Sequence, residues 1–158
     1  MRYAGIIEND FAAAPGVSTT FFVQGCPIHC KGCHNPESWS FDGGQEFEND
    51  TIGKVINALK DNNVKRNFCI MGGEPLCQDN LFLTQLMITE VKNAIPDIKI
   101  FIWSGYTWEE LQAQLNNTHM KFIFDNVHCM ITGPYREELR DVTLEMRGSS
   151  NQEIHYLT

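Results

Sequence analysis

Three of the six cysteines of this chain stand within eight residues of one another, as Cys26, Cys30 and Cys33. Thiolates at this Cys-x3-Cys-x2-Cys spacing can bind one metal centre, because Pro27 and Gly32 turn the backbone between them. The segment is therefore predicted to be a metal-binding loop, and the other parts of the chain can be placed relative to it.

The number of thiolates separates two kinds of metal site. A structural zinc site has four protein ligands, so His29, His34 or a distant cysteine would have to complete it. A four-iron cluster held by three cysteines instead leaves one iron without a protein ligand, and that iron can bind a substrate. At the level of this loop, a zinc-binding interaction module and an iron–sulfur enzyme both remain open.

Apolar, β-branched runs alternate with segments of helical periodicity along the chain. Such an alternation predicts an α/β fold of parallel βαβ units with right-handed connections. The predicted strands cover residues 2–7, 19–24, 67–71, 98–103, 127–131 and 154–157. Helices are predicted from residue 50 or 51, over 79–94 and over 107–115, with one or two helical turns at 135–140 and loops at 9–16 and 35–49.

Unusual loop sequences follow four of the predicted strands directly. They are Gly25-Cys26-Pro27, Gly72-Gly73-Glu74-Pro75, Ser104-Gly105 and Gly133-Pro134. In parallel α/β folds the carboxyl ends of the strands share one rim, where ligands bind. The four loops are therefore expected to meet in space, which favours a cofactor site over an isolated zinc loop.

Chain length and charge limit the classes of protein to which this chain can belong. With 158 residues, of which 42% are hydrophobic, a single domain over residues 1–158 is expected, and any barrel must be partial, since a complete eight-stranded one takes ~250 residues. No segment approaches the ~20 apolar residues of a membrane span, so a cytoplasmic protein is expected. The net charge of −8, with scattered basic residues, argues against direct nucleic-acid binding.

The cysteine loop resembles the cluster-binding loop of the radical S-adenosylmethionine (SAM) superfamily, and residues 72–75 resemble its GGEP motif. Within the superfamily, four further segments are similar to the proteins that activate anaerobic ribonucleoside-triphosphate reductase. These segments are residues 31–36, 104–107, 133–135 and 147–152. The resemblance covers nearly the whole chain.

The resemblance implies a partial, open radical-SAM-type β/α barrel with a [4Fe-4S] cluster on Cys26, Cys30 and Cys33. It implies an oxidoreductase that cleaves SAM reductively and generates a glycyl radical on the large subunit of the reductase. A flavodoxin or ferredoxin-like protein would donate the electron, and no catalytic residue beyond the cluster ligands is implied. A different glycyl-radical activase, or an enzyme that modifies a heterocycle, is the alternative within the superfamily.

The resemblance also implies which residues contact SAM. Gly32, Cys33 and His34 would lie beside the adenine; Gly72, Gly73 and Glu74 beside the methionine amino group; and Ser104 and Gly105 beside the carboxylate or ribose. Glycines at 72 and 73 would let the backbone approach the ligand. Two positions depart from the family: His34 replaces an aromatic residue, and Thr132 replaces an aspartate, so Thr132 is assigned no catalytic charge.

The remaining reactive residues are expected to be structural. Buried thiols are expected at Cys69, Cys77 and Cys129, and packing roles at Trp39, Trp103 and Trp108. Arg147 is expected to be solvated, unless it meets a carboxylate or the partner protein.

Overall fold

A seven-stranded sheet forms the centre of the computed structural model, which describes residues 1–158. The strands are β1 (Arg2–Asp10), β2 (Ser18–Val23), β3 (Gln45–Glu46), β4 (Asn67–Gly72), β5 (Ile100–Ser104), β6 (Cys129–Thr132) and β7 (Glu153–Tyr156). The helices are α1 (Asn49–Lys60), α2 (Leu81–Ala94), α3 (Trp108–Gln112) and α4 (Thr118–Asn126), with 3-10 turns at Pro36–Ser38, Asp61–Asn63 and Glu137–Leu139. None of the helices combines the length and apolarity that crossing a membrane requires.

The strand order is β3-β1-β2-β4-β5-β6-β7, and the sheet does not close. Its four central strands, β2, β4, β5 and β6, run parallel, as the alternation of strands and helices predicts. Antiparallel strands flank this centre, with β1 and β3 on one side and β7 on the other. The α/β fold is confirmed, and its parallel centre points four strand ends towards one rim.

One face of the sheet is covered by helices. Side chains alternate between the two faces of a strand, so Phe68 and Ile70 of β4 point towards the helices together with Ile100 and Ile102 of β5. Apolar residues of all four helices complete this core, including Val55, Met87, Leu111 and Ile123. Burial of this apolar surface is the main favourable contribution to folding.

The opposite face carries no helix and is covered by loops. Cys69, Phe101 and Cys129 are neighbours in register across β4, β5 and β6, and they pack with Ala14 and Met146 from the covering segments. Burial raises the pKa of Cys69 to about 12 and that of Cys129 to about 11. These cysteines, and Cys77, are free and buried, as expected for structural thiols.

Helix α4 is the element that the sequence pattern does not predict. Asn117 caps it, because its side-chain oxygen accepts hydrogen bonds from the backbone N–H groups of His119 and Met120. Only Met120 and Ile123 of this helix are buried, which is too short an apolar period to recognise in the sequence.

Other boundaries differ from the predictions by a few residues. Strand β1 extends to Asp10, into the predicted 9–16 loop, and the predicted 35–49 loop contains a 3-10 turn and the short β3. Helix α1 begins at Asn49, because Glu48 and Thr51 form a capping box, so Thr51 is the third residue of the helix rather than its cap. Helix α3 ends at Gln112 instead of 115, while its predicted cap at Thr107 is confirmed.

Candidate functional site

A cavity of about 370 Å³ opens at the carboxyl ends of the four parallel strands. Each of the four rim loops contributes to its wall, through Cys26 after β2, Gly73 after β4, Gly105 after β5 and Gly133 after β6. The four sequence motifs therefore meet at one place, as their positions after the strands predict.

The cysteine loop forms one wall of this cavity, and all three of its thiols are free. Its start is fixed by backbone hydrogen bonds from the Gly25 N–H to the Ser38 carbonyl, at 2.7 Å, and from Cys26 to Trp39, at 3.0 Å. His29 turns the loop in the left-handed region, with φ of 53°. No set of three His, Cys, Asp or Glu side chains is gathered closely enough here to hold a metal ion, so the three thiols share a wall rather than a preformed ligand cage.

Backbone N–H groups point at the cysteine sulfurs. The N–H of Asn35 donates to Cys33 Sγ at 3.4 Å, and the N–H of Tyr135, from the loop after β6, donates to the Cys30 sulfur. Burial raises the pKa of Cys30, whereas the hydrogen bond from the Tyr135 N–H favours its thiolate. Soft thiolate ligands supported by N–H donors suit an iron–sulfur cluster, so the donor set fits that group.

The Gly72-Gly73 turn packs directly against the cysteine loop. The Gly73 N–H donates to the Val23 carbonyl, and the Glu74 N–H donates to the Gly25 carbonyl, each at 2.9 Å. A side chain at Gly73 would place its Cβ 2.3 Å from the Gly25 oxygen, and Gly72 has φ of 107°. Gly73 is thus required by contact between the two loops, and Gly72 by its positive φ and its contact with Val23 of β2. These are packing reasons in addition to the ligand approach expected from the sequence.

Glu74 joins the loop after β4 to the loop after β5. Its buried carboxylate accepts hydrogen bonds from the Leu76 N–H at 2.9 Å, the Ser104 hydroxyl at 2.8 Å and the Gly105 N–H at 2.6 Å. Burial raises the pKa of Glu74 to about 7, although the three hydrogen bonds act in the opposite direction. Because both carboxylate oxygens have protein partners, Glu74 positions the two loops of the rim.

Side chains of the segment 147–152 hold the loop after β6 in place through hydrogen bonds. The side-chain oxygen of Gln152 accepts from the Gly148 N–H at 2.8 Å and from the Ser149 N–H at 3.1 Å, while its amide nitrogen donates to the Gly133 carbonyl at 3.0 Å. Asn151 adds a bond to the Pro134 carbonyl at 2.7 Å. The tail is therefore an integral part of the cavity wall.

Two side chains of the cavity wall hold buried N–H groups that have no acceptor. They are the indole Nε1 of Trp39 and the guanidinium Nε of Arg147. An unpaired buried donor costs about 1–3 kcal/mol, so a ligand that brings acceptor atoms into the cavity would be stabilised by these two groups.

Comparison with known proteins agrees with this chemistry. A family described as a 4Fe-4S single cluster domain matches residues 12–155. Proteins named anaerobic ribonucleoside-triphosphate reductase-activating protein align with the whole chain. The one from Pasteurella multocida (strain Pm70) is 34% identical over 100% of this chain and 99% of that protein, and the one from Escherichia coli (strain K12) is 32% identical over 99% of each. The one from Enterobacteria phage T4 is 30% identical over 98% of this chain and 93% of that protein.

The chain belongs to this family of activating proteins. All but one of the residues that the sequence predicts for the site line the cavity. Those in the wall are Cys26, Cys30, Cys33, His34, Gly72, Gly73, Glu74, Ser104 and Gly105. Gly32 lies outside the wall, with the Glu137 side chain against it. The exposed ring of His34 lies 5.1 Å from that of Tyr135, so an aromatic neighbour accompanies it at the cavity.

Several residues occupy roles that the sequence does not reveal. Asn80 is buried, and its amide donates to the Gly25 carbonyl at 3.1 Å and to the Glu74 carbonyl at 3.0 Å, which clamps the two loops together. Its position just before α2 resembles a helix cap, and that is the only signal the sequence offers. Arg147 lines the cavity, which corrects the expectation of a solvated side chain. Thr132 is buried and lines a separate, smaller cavity.

The tryptophans have packing partners, as expected. Trp39 stacks on His29 with ring centres 4.5 Å apart, and Trp108 stacks on His155 at 3.8 Å. Trp103 donates its indole N–H to the Met146 carbonyl at 2.8 Å, which ties the covering tail to β5.

Proposed function

We propose that this activating protein is a radical SAM enzyme that generates a glycyl radical on the large subunit of anaerobic ribonucleoside-triphosphate reductase. In this proposal residues 1–158 form one radical SAM domain, a partial and open β/α barrel. The observation that carries the proposal is the cavity where three free thiols face the glycine-rich turn after β4. A site with three cysteines and no fourth protein ligand leaves one iron available to a substrate.

Cys26, Cys30 and Cys33 would hold three irons of the [4Fe-4S] cluster. Such a cluster would supply one-electron chemistry: an electron from a flavodoxin or ferredoxin-like donor would reduce the SAM sulfonium and break a carbon–sulfur bond, giving methionine and a 5′-deoxyadenosyl radical. The proposed outcome is transfer of a Cα hydrogen atom from a glycine of the reductase to that radical. The products are 5′-deoxyadenosine and a stored glycyl radical.

The rim loops of this chain would bind and orient SAM. The 72–74 turn would border the methionine amino group, and Cys33 and His34 would border the adenine, whereas Gly32 lies outside the cavity wall. Ser104 and Gly105 support the first of these contacts indirectly, because both donate to Glu74. Holding the sulfonium in one orientation beside the cluster lowers the entropic part of the barrier.

Apolar side chains would keep water away from the radical. The cavity wall includes Ile28 of the cysteine loop, Met71 and Trp103 of the sheet, and Leu144 and Met146 of the covering tail. Exclusion of water strengthens the electrostatic interactions in the site, and the walls of the cavity would confine the radical beside its target.

The reductase would cover the open side of the cavity. Two segments that contribute to the wall carry strongly exposed apolar side chains, Phe11 at 77% exposure and Val142 at 81%. A glycine loop suits such a site, because glycine has no side chain to obstruct the approach. Replacing both Phe11 and Val142 with serine should lower the yield of glycyl radical on the reductase and leave SAM cleavage unchanged.

Two anaerobic assays test the proposal. Protein reconstituted with iron and sulfide, then given dithionite and SAM, should form 5′-deoxyadenosine, and the Cys30→Ala variant should form none. Adding the reductase should produce a glycyl signal in electron paramagnetic resonance. If 5′-deoxyadenosine accumulates and no glycyl signal appears, the reductase is not the target, and another small radical SAM activity takes its place.

A zinc-binding interaction module is the alternative from a different class. It predicts a colourless protein that contains zinc and does not bind SAM. The 4Fe-4S family match over residues 12–155 supports the iron–sulfur reading instead. Metal analysis of anaerobically prepared protein separates the two.

A further inference from the structure

Arg147 is the only arginine or lysine in the wall of the cavity at the strand ends. Its Nε–H is buried and has no acceptor, and its Nη1 donates only to the Gln152 carbonyl, at 3.3 Å. None of the ion pairs in the structure includes it. A guanidinium with an unused donor therefore stands beside the space that a ligand would occupy.

The backbone on both sides of Arg147 is held in place. Gln152 accepts from the N–H groups of Gly148 and Ser149, and the carbonyl of Met146 accepts the indole N–H of Trp103. The Arg147 side chain therefore projects from a segment of the wall whose backbone is held in place. A planar donor that is positioned before the ligand arrives loses little entropy on binding, which favours recognition of a carboxylate.

The carboxylates of the protein do not supply the missing acceptor. Both oxygens of Glu74 already accept hydrogen bonds from Leu76, Ser104 and Gly105. Asp141 lies at the surface, where hydrogen bonds from Thr143 and, to a lesser extent, the charge of Arg147 lower its pKa. It forms no ion pair with the guanidinium, so an anionic partner has to come from the ligand.

We infer that Arg147 binds the carboxylate of the methionine moiety of SAM. This inference rests on the proposed function, and it replaces Ser104 and Gly105 as candidates for that group, because their donors are already bonded to Glu74. The residue selects ligands that carry a free carboxylate and fixes the end of the molecule nearest the cluster.

The test compares two ligands on cluster-loaded protein, by anaerobic equilibrium dialysis or calorimetry. SAM carries the carboxylate, and decarboxylated SAM does not. In the Arg147→Gln variant, SAM should bind about 10- to 100-fold more weakly, the range for a lost charge-assisted hydrogen bond, while the affinity for decarboxylated SAM should stay within about twofold. Arg147→Lys should recover part of the SAM affinity.

Two controls make the result specific. Arg140→Gln removes the same charge from an exposed position in the neighbouring loop and should leave both affinities unchanged. Asp141→Asn should also leave them unchanged, because its carboxylate is not the partner of Arg147. The visible spectrum and iron content of each variant report whether the cluster and the fold are intact.

Equal weakening of both ligands by Arg147→Gln, or weakening of neither, would overturn the inference while the proposed function stands. Arg147→Lys guards against a folding defect: equal losses for both ligands in this variant as well would assign Arg147 a structural role. A wild-type protein that binds its cluster but does not bind SAM would overturn the proposed function and this inference together.

Discussion

The two faces of the sheet are stabilised by different interactions. On the helix-covered face, a core of 21 buried residues packs apolar side chains from four helices against the strands. On the loop-covered face the equivalent cluster has only five residues, and the loops above it are joined by hydrogen bonds and glycine contacts. The first face thus supplies most of the apolar burial, and the second supplies a cavity that a ligand can enter.

Because of this difference, substitutions on the two faces should affect different properties of the protein. Removing apolar volume from the helix-covered face should weaken the whole fold, because that core is contiguous. Changing a residue on the loop-covered face should instead disturb the position of one loop relative to another, and therefore ligand binding first. Paired substitutions on the two faces test this division.

The largest effect is expected from Cys30→Ala. Removing one of three proposed ligands should abolish retention of the cluster, measured as iron content and visible absorption after anaerobic reconstitution. Cys69→Ala removes a buried thiol from the same face but outside the cavity wall, and it should retain the cluster. Equal iron content in both variants would contradict the proposal that the cysteines of the cavity wall bind the cluster.

Phe68→Ala should have the largest effect on folding. Its side chain is fully buried in the helix-side core, so the truncation should lower the free energy of unfolding by about 3–5 kcal/mol in urea denaturation. Phe11→Ala removes the same atoms from an exposed position and should change that free energy by less than about 0.5 kcal/mol. Similar costs for the two variants would contradict the idea that one face carries the stability.

Glu74 predicts a dependence of stability on pH. Its pKa is raised from 4.5 to about 7, so the folded protein retains a proton that the unfolded chain releases. This contribution is fully present below pH 4.5 and is lost as the pH rises through 7, by about 3 kcal/mol in total. Unfolding of the wild type and of Glu74→Gln, followed from pH 4 to 8, should show the wild type losing stability relative to the variant. Parallel curves would mean that Glu74 does not change its charge on folding in this range.

Gly73→Ala should have a smaller effect, located at the rim. The new Cβ would overlap the Gly25 carbonyl, so the loops must separate, at a cost of about 1–3 kcal/mol and with weaker retention of the cluster. Gly53→Ala is a matched control in helix α1, where nothing lies within 4 Å of the new Cβ. There the same substitution should stabilise the protein by up to about 1 kcal/mol. Changes of opposite sign in the free energy of unfolding of the two variants would support the difference between the faces.

Local signals explain which parts of the fold the sequence predicts. The β-branched strands and the glycine and proline residues at their ends are visible in short windows, so the parallel centre and the meeting of the four loops are predicted correctly. Helix α4 is not, because only Met120 and Ile123 show its buried side. The cap at Thr107 is predicted, because its hydrogen-bond partner, Glu110, is only three residues away in the chain.

The candidate site is likewise predictable only where its signals lie close together in the chain. The thiols and the glycine-rich turn are found from their spacing, but the hydrogen bonds of Glu74 reach Ser104, 30 residues further along the chain. Arg147 is a similar case, since only the packing of the tail onto the rim brings it into the cavity wall. Contacts between residues far apart in the chain leave no periodic pattern, and they are what the structure adds.

The most direct test of the account is electron paramagnetic resonance of the reduced, anaerobically prepared protein with and without SAM, combined with metal analysis. The account predicts about four iron and four sulfide per chain and a spectrum that SAM changes, because one iron has no protein ligand. A protein that contains zinc instead, or a cluster whose spectrum does not respond to SAM, would contradict it.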